Sequence, residues 1–406
     1  MAHLNSLKQK NFKQRSKKLL NITQVHALSK KIKDNKKKIV FVLGTFDLLN
    51  PGHCRYLAEA KAMGDILVVG ISTDQSIRHL KGEGHPLISQ DIRAELMSYL
   101  KVVDYVTYVD EESPHALLIL LQPDIFLVSA TSSIAHDRKD IDNQIVKTYG
   151  GKVYRKILKD PYFSTINLID HIANIRVIQI LNRYYGERSN DLHLDAEKLF
   201  EPANYGSQTP DVKNSYDSNT IIVGQDNFDF IKKLQKKGKK VVLVSGSYDL
   251  LHVGHARFIE QAGLLGDILV VAIPSDISIR KLKGIGRPVI SEHSRAYILG
   301  HLDPVDFVTV FSETSVLNTL DALRPDVFFT VDESWNSGYK DSPEYKLVKS
   351  YGGEVALAER QSPFLSASLL IDKLAQKKVK EIFQECMEDE KYDKIVKEKS
   401  RIDKIK

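Results

Sequence analysis

The chain has 406 residues, of which 27% are charged and 42% hydrophobic, with a formal net charge of +6 and only two cysteines, Cys54 and Cys386. That length suggests two or three domains, and two cysteines in separate segments supply neither a disulfide framework nor a cysteine metal site. No apolar run reaches the roughly eighteen residues of a membrane span, and the basic start lacks the apolar centre of a secretory signal, so a soluble, cytoplasmic protein is expected.

In chain order, residues 1–20 read as a basic extension, with lysines crowded between Lys8 and Lys38 and again between Lys373 and Lys406. Both ends mix apolar and charged residues at helical spacing, as at Val379, Ile382 and Phe383, without the aromatic interleaving of a single-strand binder. Nucleic acid is therefore not an expected partner.

The stretch Gly44-Thr45-Phe46-Asp47-Leu48-Leu49-Asn50-Pro51-Gly52-His53 returns 202 positions later as Gly246-Ser247-Tyr248-Asp249-Leu250-Leu251-His252-Val253-Gly254-His255. At the same offset Gly64-Asp65 matches Gly266-Asp267, Lys81-Gly82 matches Lys283-Gly284, Arg93 matches Arg295, Pro123-Asp124 matches Pro325-Asp326, and Gly150-Gly151 matches Gly352-Gly353. The chain is a tandem duplication, with a lysine-rich helix before each copy ending at Lys38 and Lys240. The expected boundaries are a first domain at 21–186, a polar linker at 187–219, a second domain at 220–376 and a charged helical tail at 377–406.

Within the second copy, apolar runs at Lys239 to Val244, Ile268 to Ile273, Phe307 to Phe311, Val327 to Val331 and Glu354 to Ala358 alternate with helical segments. Runs apolar on both faces and joined by helices predict an α/β fold: two tandem Rossmann-like, doubly wound parallel-sheet domains. Ligands gather beyond the carboxyl ends of such strands, where the repeated loop lies. A glycine there lets the backbone approach a ligand, and the helix that opens near Gly254 and His255 points free amides at an anion. His252 and His255, three apart, can reach one phosphate and donate to oxygens that gain charge in a transition state. Two histidines without a third ligand do not make a metal site, and none is expected.

These residues resemble the cytidylyltransferase-like nucleotidyltransferase superfamily over nearly all of both copies. Arg280-Lys281-Leu282-Lys283-Gly284-x-x-Arg287-Pro288, Arg295 and Arg324-Pro325-Asp326 are most similar to the adenylyltransferase half of ADP-heptose synthases. Glycerol-3-phosphate and ethanolamine-phosphate cytidylyltransferases look nearly as similar. The resemblance implies in-line attack of a substrate phosphate on the α-phosphate of ATP or CTP, with Mg2+ accompanying the triphosphate and pyrophosphate leaving. It implies a small phosphorylated sugar or alcohol as acceptor, and either an internal pseudo-dimer or a homodimer.

It further implies catalytic roles for His252, His255 and Lys283, and nucleotide contacts from Gly246, Ser247, Tyr248, Gly254, Arg295, Glu333, Ser366 and Ser368. For Arg295 a solvated surface position is the competing expectation. The first-copy equivalents are Thr45, Phe46, Asn50, His53, Lys81, Arg93, Ser164 and Thr165. Departures from the family pattern are more numerous there: Asn50 replaces a histidine, and Val128-Ser129-Ala130-Thr131 lacks the acid that Thr330-Val331-Asp332-Glu333 keeps. The second copy is expected to be the catalytic one and the first weakened, regulatory or specialised for another ligand. A catalytically silent nucleotide-binding protein is the alternative.

Overall fold

The computed structural model describes residues 17–110, 114–129, 139–156, 221–222, 228–284, 287–331, 338–358 and 376. The first copy runs β1 (Leu19–Leu20), α1 (Ile22–Asp34), β2 (Ile39–Gly44), α2 (Pro51–Ala62), β3 (Ile66–Ser72), α3 (Asp74–Lys81) and α4 (Gln90–Ser98). It continues through β4 (Tyr105–Val109), α5 (His115–Leu121), β5 (Ile125–Ser129), α6 (Lys139–Thr148) and β6 (Lys152–Lys156). The second runs β7 (Ile221–Ile222), α7 (Asp229–Lys236), β8 (Val241–Ser245), α8 (Val253–Gly263), β9 (Ile268–Pro274), α9 (Asp276–Lys283) and α10 (Glu292–Gly300). Then come β10 (Phe307–Phe311), α11 (Leu317–Leu323), β11 (Val327–Val331), α12 (Pro343–Ser350) and β12 (Glu354–Ala358).

Each copy forms a six-stranded sheet, ordered β1-β4-β3-β2-β5-β6 and β7-β10-β9-β8-β11-β12, and every pairing in both is parallel. The doubly wound α/β fold read from the apolar runs is thus present twice, with one topology. From β2 the chain winds outward through β3 to β4, then crosses back to β5 on the other side of β2. The carboxyl ends of β2 and β5, and of β8 and β11, are therefore the places where the winding direction reverses and a crevice opens.

Two expectations are corrected. The first sheet starts before residue 21, because Leu19 and Leu20 pair with Val106 and Thr107. The lysine-rich helices stop at Asp34 and Lys236, short of Lys38 and Lys240, and the remaining lysines turn into the first central strand of each copy.

The repeated acids explain themselves as strand anchors. Asp124 accepts from the Ile39 amide and Asp326 from the Val241 amide, each at the start of the central strand. Asp65 and Asp267 accept from Lys38 and Lys240, while Asp104 and Asp306 accept from Leu67 and Leu269. A parallel strand leaves its first amides unpaired at the sheet edge, and a carboxylate from the neighbouring loop satisfies them.

The faces of the sheets remote from the other copy are covered by separate cores around Val25, Phe41, Leu118 and Val146 in the first copy and Ile231, Leu243, Leu320 and Val348 in the second. The opposite faces merge into one buried core that includes Leu57, Met97 and Leu100 with Ile259, Leu299 and Leu302. Leu100 and Leu302, equivalent residues, pair across the junction as an antiparallel bridge. The flanking bonds obey the same two-fold relation: the Lys101 amide donates to the His301 carbonyl (2.9 Å), and the Asp303 amide donates to the Tyr99 carbonyl (2.8 Å).

Replacing Asp326 by alanine leaves the Val241 amide without its charged acceptor at the edge of the core. The expected loss is about 1–3 kcal/mol of stability, read as a lower urea midpoint with an unchanged slope.

Candidate functional site

The loop between β8 and α8 is held from below by a buried guanidinium. Arg295, 1% exposed on α10, donates through Nε to Ile290 O (3.0 Å), through Nη1 to Ser247 O (2.9 Å), and through Nη2 to Pro274 O and Asp276 Oδ1. Arg93 on α4 makes the same set in the first copy, to Ile88 O, Thr45 O, Ser72 O and Asp74 Oδ1. Neither arginine is a solvated surface residue. Both are spent on backbone carbonyls and a carboxylate, so they shape the loop from inside instead of lining the open crevice.

Above that anchor the loop turns at a left-handed residue, Tyr248 (φ 47°), matched by Phe46 (φ 49°). Such a conformation is costly for an aromatic residue and persists only where the surroundings impose it. Its ring folds back over Gly246, where an added Cβ would stand 3.0 Å from the tyrosine ring; at Gly44 the distance to the Phe46 ring is 2.7 Å. A larger residue beneath the ring would push it aside, most of all at Gly44. The Tyr248 hydroxyl is buried and has no hydrogen-bond partner among the described residues, a feature Phe46 cannot share.

Asp249 fixes the other side of the loop. It accepts from the Val289 and Ile290 amides and forms a 2.7 Å ion pair with Arg287, whose side chain is 16% exposed. Asp47 likewise accepts from Leu87 and Ile88, but His85 stands where Arg287 stands in the second copy. Burial raises the Asp47 carboxyl above its ordinary value, offset in part by those two amides, Arg93 and His85.

The helix α8 begins at Val253, with His252 as its N-cap in extended conformation. The His252 and His255 rings stack with centroids 3.8 Å apart, and the His252 amide lies 3.4 Å from His255 Nδ1. The sequence spacing therefore delivers what it predicted, two imidazoles side by side at a helix N-terminus. Burial first, then the neighbouring His252 and Lys283 charges, hold the His255 pKa well below its ordinary value, outweighing the Leu250 carbonyl, so its ring is neutral at pH 7. Lys283, the last residue of α9, reaches across to Ser247 Oγ at 2.7 Å. It can do so because Gly284 (φ +83°) ends the helix at once in a conformation other residues resist. Burial lowers the Lys283 pKa; Asp249 opposes the shift and the Arg287 and Arg295 charges add to it.

In the first copy Asn50 takes the N-cap of α2, and its side chain is turned to the backbone. Its Oδ1 accepts from the His53 amide (3.0 Å) and its Nδ2 lies 3.4 Å from Leu48 O. Lys81 reaches Thr45 Oγ1 only at 3.4 Å. His53 packs edge-on against Phe46 as His255 does against Tyr248.

The structure thus brings together Gly246, Ser247, Tyr248, His252, Gly254, His255 and Lys283, and separately Thr45, Phe46, Asn50, His53 and Lys81. Arg295 and Arg93 sit beneath each group. Glu333, Ser366, Ser368, Ser164 and Thr165 lie outside the described residues. No role for Arg287 is evident from the sequence, where its signal is its place in the Lys-Gly-x-x-Arg-Pro stretch, four residues beyond Lys283. Among the described residues no cluster of three His, Cys, Asp or Glu side chains is arranged to hold a metal, and no helix is long and apolar enough to cross a membrane.

The family model described as cytidylyltransferase-like matches residues 41–163 and 243–373, covering the loop, its helix and most of both sheets. The chain belongs to this family. It is similar to the bifunctional protein HldE of Syntrophotalea carbinolica, 43% identical over 148 residues, 36% of this chain and 29% of that protein. The HldE protein of Geotalea uraniireducens is 42% identical over 146 residues, 35% of this chain and 28% of that protein. The chain thus spans less than a third of the length of these relatives. A solved lipopolysaccharide core biosynthesis protein from Thermoplasma volcanium is 30% identical, with 29% of this chain and 95% of that chain covered and a TM-score of 0.26.

Burial lowers the His53 pKa from its ordinary 6.5 to about 4, against a smaller opposing pull from the Leu48 carbonyl. As pH falls from 6.5 towards 4 the unfolded chain binds a proton that the folded copy refuses, so stability declines through that window. His53→Gln abolishes this contribution. Between pH 7 and pH 5 the wild-type protein should lose about 2 kcal/mol more stability than the variant, measured by urea unfolding at both pH values.

Proposed function

We propose that the second copy is a nucleotidyltransferase that moves AMP from ATP, or CMP from CTP, to a phosphate oxygen of a small phosphorylated sugar or alcohol. The observation that carries this reading is the stacked His252–His255 pair at the α8 N-terminus, in the loop that follows β8, with Lys283 bridging the same loop. The acceptor oxygen attacks the α-phosphorus in line, a new P–O–P linkage forms, the bond to the β-phosphate oxygen breaks, and pyrophosphate leaves. No covalent enzyme intermediate is required, so the chain's contribution is positioning and charge neutralisation.

In that scheme neutral His255 and its partner His252 donate hydrogen bonds to the α-phosphate oxygens as charge builds, and the α8 amides add their dipole. Lys283 neutralises a neighbouring phosphate. Gly246, Ser247 and Tyr248 present backbone to the nucleotide, and Gly254 keeps the first helical turn open to close approach. Arg295 acts one layer down, holding the Ser247 carbonyl so that the loop keeps its shape. Glu333, Ser366 and Ser368 remain proposed nucleotide contacts.

Mg2+ bound to the triphosphate would offset the charge of the leaving pyrophosphate. The Asp249 and Asp276 carboxylates are already engaged by amides and arginines, so the oxygens that suit the ion are the nucleotide's own. The unlike loops favour transfer in the second copy: Asn50 spends its side chain on capping α2 where His252 is stacked on a second imidazole. The proposed boundaries stay at 21–186 and 220–376, with Leu19 and Leu20 added to the first unit, and the two copies are read as an internal pseudo-dimer.

A pyrophosphate-release screen crossing ATP, CTP, GTP and UTP with heptose 1-phosphate, glycerol 3-phosphate, phosphoethanolamine, phosphocholine and FMN identifies donor and acceptor. With the productive pair, His252→Ala and His255→Ala should each lower kcat by about 10²–10³-fold, while His53→Ala leaves most of the activity. Full turnover in both second-copy variants would refute the assignment.

A further inference from the structure

The helices that join the two copies are the same helices that build the two loops. α8, which His252 caps, packs on α4 of the first copy, and α2 packs on α10. Across the first of these contacts Arg257 donates through Nε and Nη2 to both carboxylate oxygens of Glu95, at 2.7 and 2.6 Å. One turn further on, the Tyr99 hydroxyl donates to Glu260 Oε2 at 3.3 Å. Arg257 and Glu260 lie three apart on one face of α8, and Glu95 and Tyr99 lie four apart along the first-copy helix and its C-cap. The grip is therefore two-point, which fixes the rotation of α8 about its axis as well as its height.

The two-fold equivalent contact is built from different residues. Arg55 on α2 stands where Arg257 stands, but it faces Tyr297 in place of a carboxylate, at 5.8 Å from the ring centroid. Ala58 replaces Glu260, and His301 replaces Tyr99. Lys101 replaces Asp303 and donates to the Gly300 and Val305 carbonyls of the second copy. The side chains around the pseudo-axis are thus unlike, and the bidentate pair falls on the helix that carries two histidines, not on the one that begins with Asn50.

We infer that the first copy serves as a positioning scaffold for the second: Glu95, assisted by Tyr99, sets the orientation of α8 through Arg257 and thereby aligns His252 and His255. Arg257 is two residues beyond His255, so a small rotation of α8 carries the imidazoles with it. The Glu95 and Arg257 side chains are partly exposed (27% and 37%), which makes the pair weak as a source of stability and leaves geometry as its main effect. Glu95 touches no substrate and is a positioning residue. The inference rests on transfer taking place in the second copy.

The test uses the full chain with the productive substrate pair. Glu95→Gln should lower kcat about tenfold, in line with the cost of sub-ångström misplacement. The KM for the nucleotide should change less than twofold, and the reversed pair Glu95→Arg with Arg257→Glu should recover most of the lost kcat. Lys101→Met, which removes a junction anchor bonded to the Gly300 and Val305 carbonyls, should lower Tm yet leave kcat within about twofold of wild type. Imidazole Cε1–H correlation spectra supply a readout independent of turnover: Glu95→Gln should shift the His252 and His255 signals and leave that of His53 in place. Unchanged His252 and His255 signals, wild-type kcat in Glu95→Gln, or an equal loss of kcat in Lys101→Met would overturn the inference. If the wild-type protein turns over no pair in the screen, the transfer assignment fails, while the spectra still decide whether Glu95 orients α8.

Discussion

A guanidinium buried under each loop is the interaction on which the rest depends. Arg295 joins the end of β9, the turn before α10, the Ser247 carbonyl and Asp276 in one knot, and Arg93 repeats it. A cation withdrawn from water is tolerated only when its donors are satisfied, so every carbonyl it meets is held at hydrogen-bonding distance. That requirement makes the loop a fixed object. The left-handed Tyr248, the glycine beneath its ring and the amides clamped by Asp249 are all consequences of a backbone with nowhere else to go. Charge is concentrated under the loop, where the two arginines lie, and the imidazoles and amide dipoles stand at the helix start above it.

Much of this was legible in the sequence because its periodicities are long and its punctuation is strong. Runs such as Ile268–Pro274 and Val327–Val331 are apolar on both faces and preceded by Gly-Asp or Pro-Asp, so strand and direction follow together. The histidine pair was readable because three residues of helix return a side chain to nearly the same face. The layer beneath was not. Nothing local distinguishes Arg295 from a surface arginine on an amphipathic helix; its burial comes from carbonyls contributed by Ser247 and Pro274, far away in sequence. Arg287 was hidden in the same way, since its carboxylate partner Asp249 lies 38 residues earlier. The two-residue strands β1 and β7 escaped because so short a segment has no period, only a neighbour. The repeated acids were seen as markers of duplication, whereas their physical work, catching the first amides of strands, needed the register.

The two copies share a topology and differ in how they use their helix starts. An N-cap side chain that accepts from the backbone, as Asn50 does from His53, stabilises the helix and is then unavailable for anything above it. His252 occupies the same position, buried, with its ring stacked on that of His255. The substitution therefore sets an amide cap in one copy against a stacked imidazole pair in the other, and the scaffold accommodates both because Arg93 and Arg295 hold the loop in each.

The pairing of Leu100 with Leu302 has a consequence for how the molecule behaves on dilution. Two equivalent residues can meet only on a two-fold axis, so the joined surfaces are of the self-complementary kind that ordinarily brings separate subunits together. Here both halves of that surface belong to one polypeptide. An association that would otherwise follow protein concentration becomes intramolecular. The junction, and with it the merged core, is accordingly as intact in a dilute cell extract as at crystallisation strength.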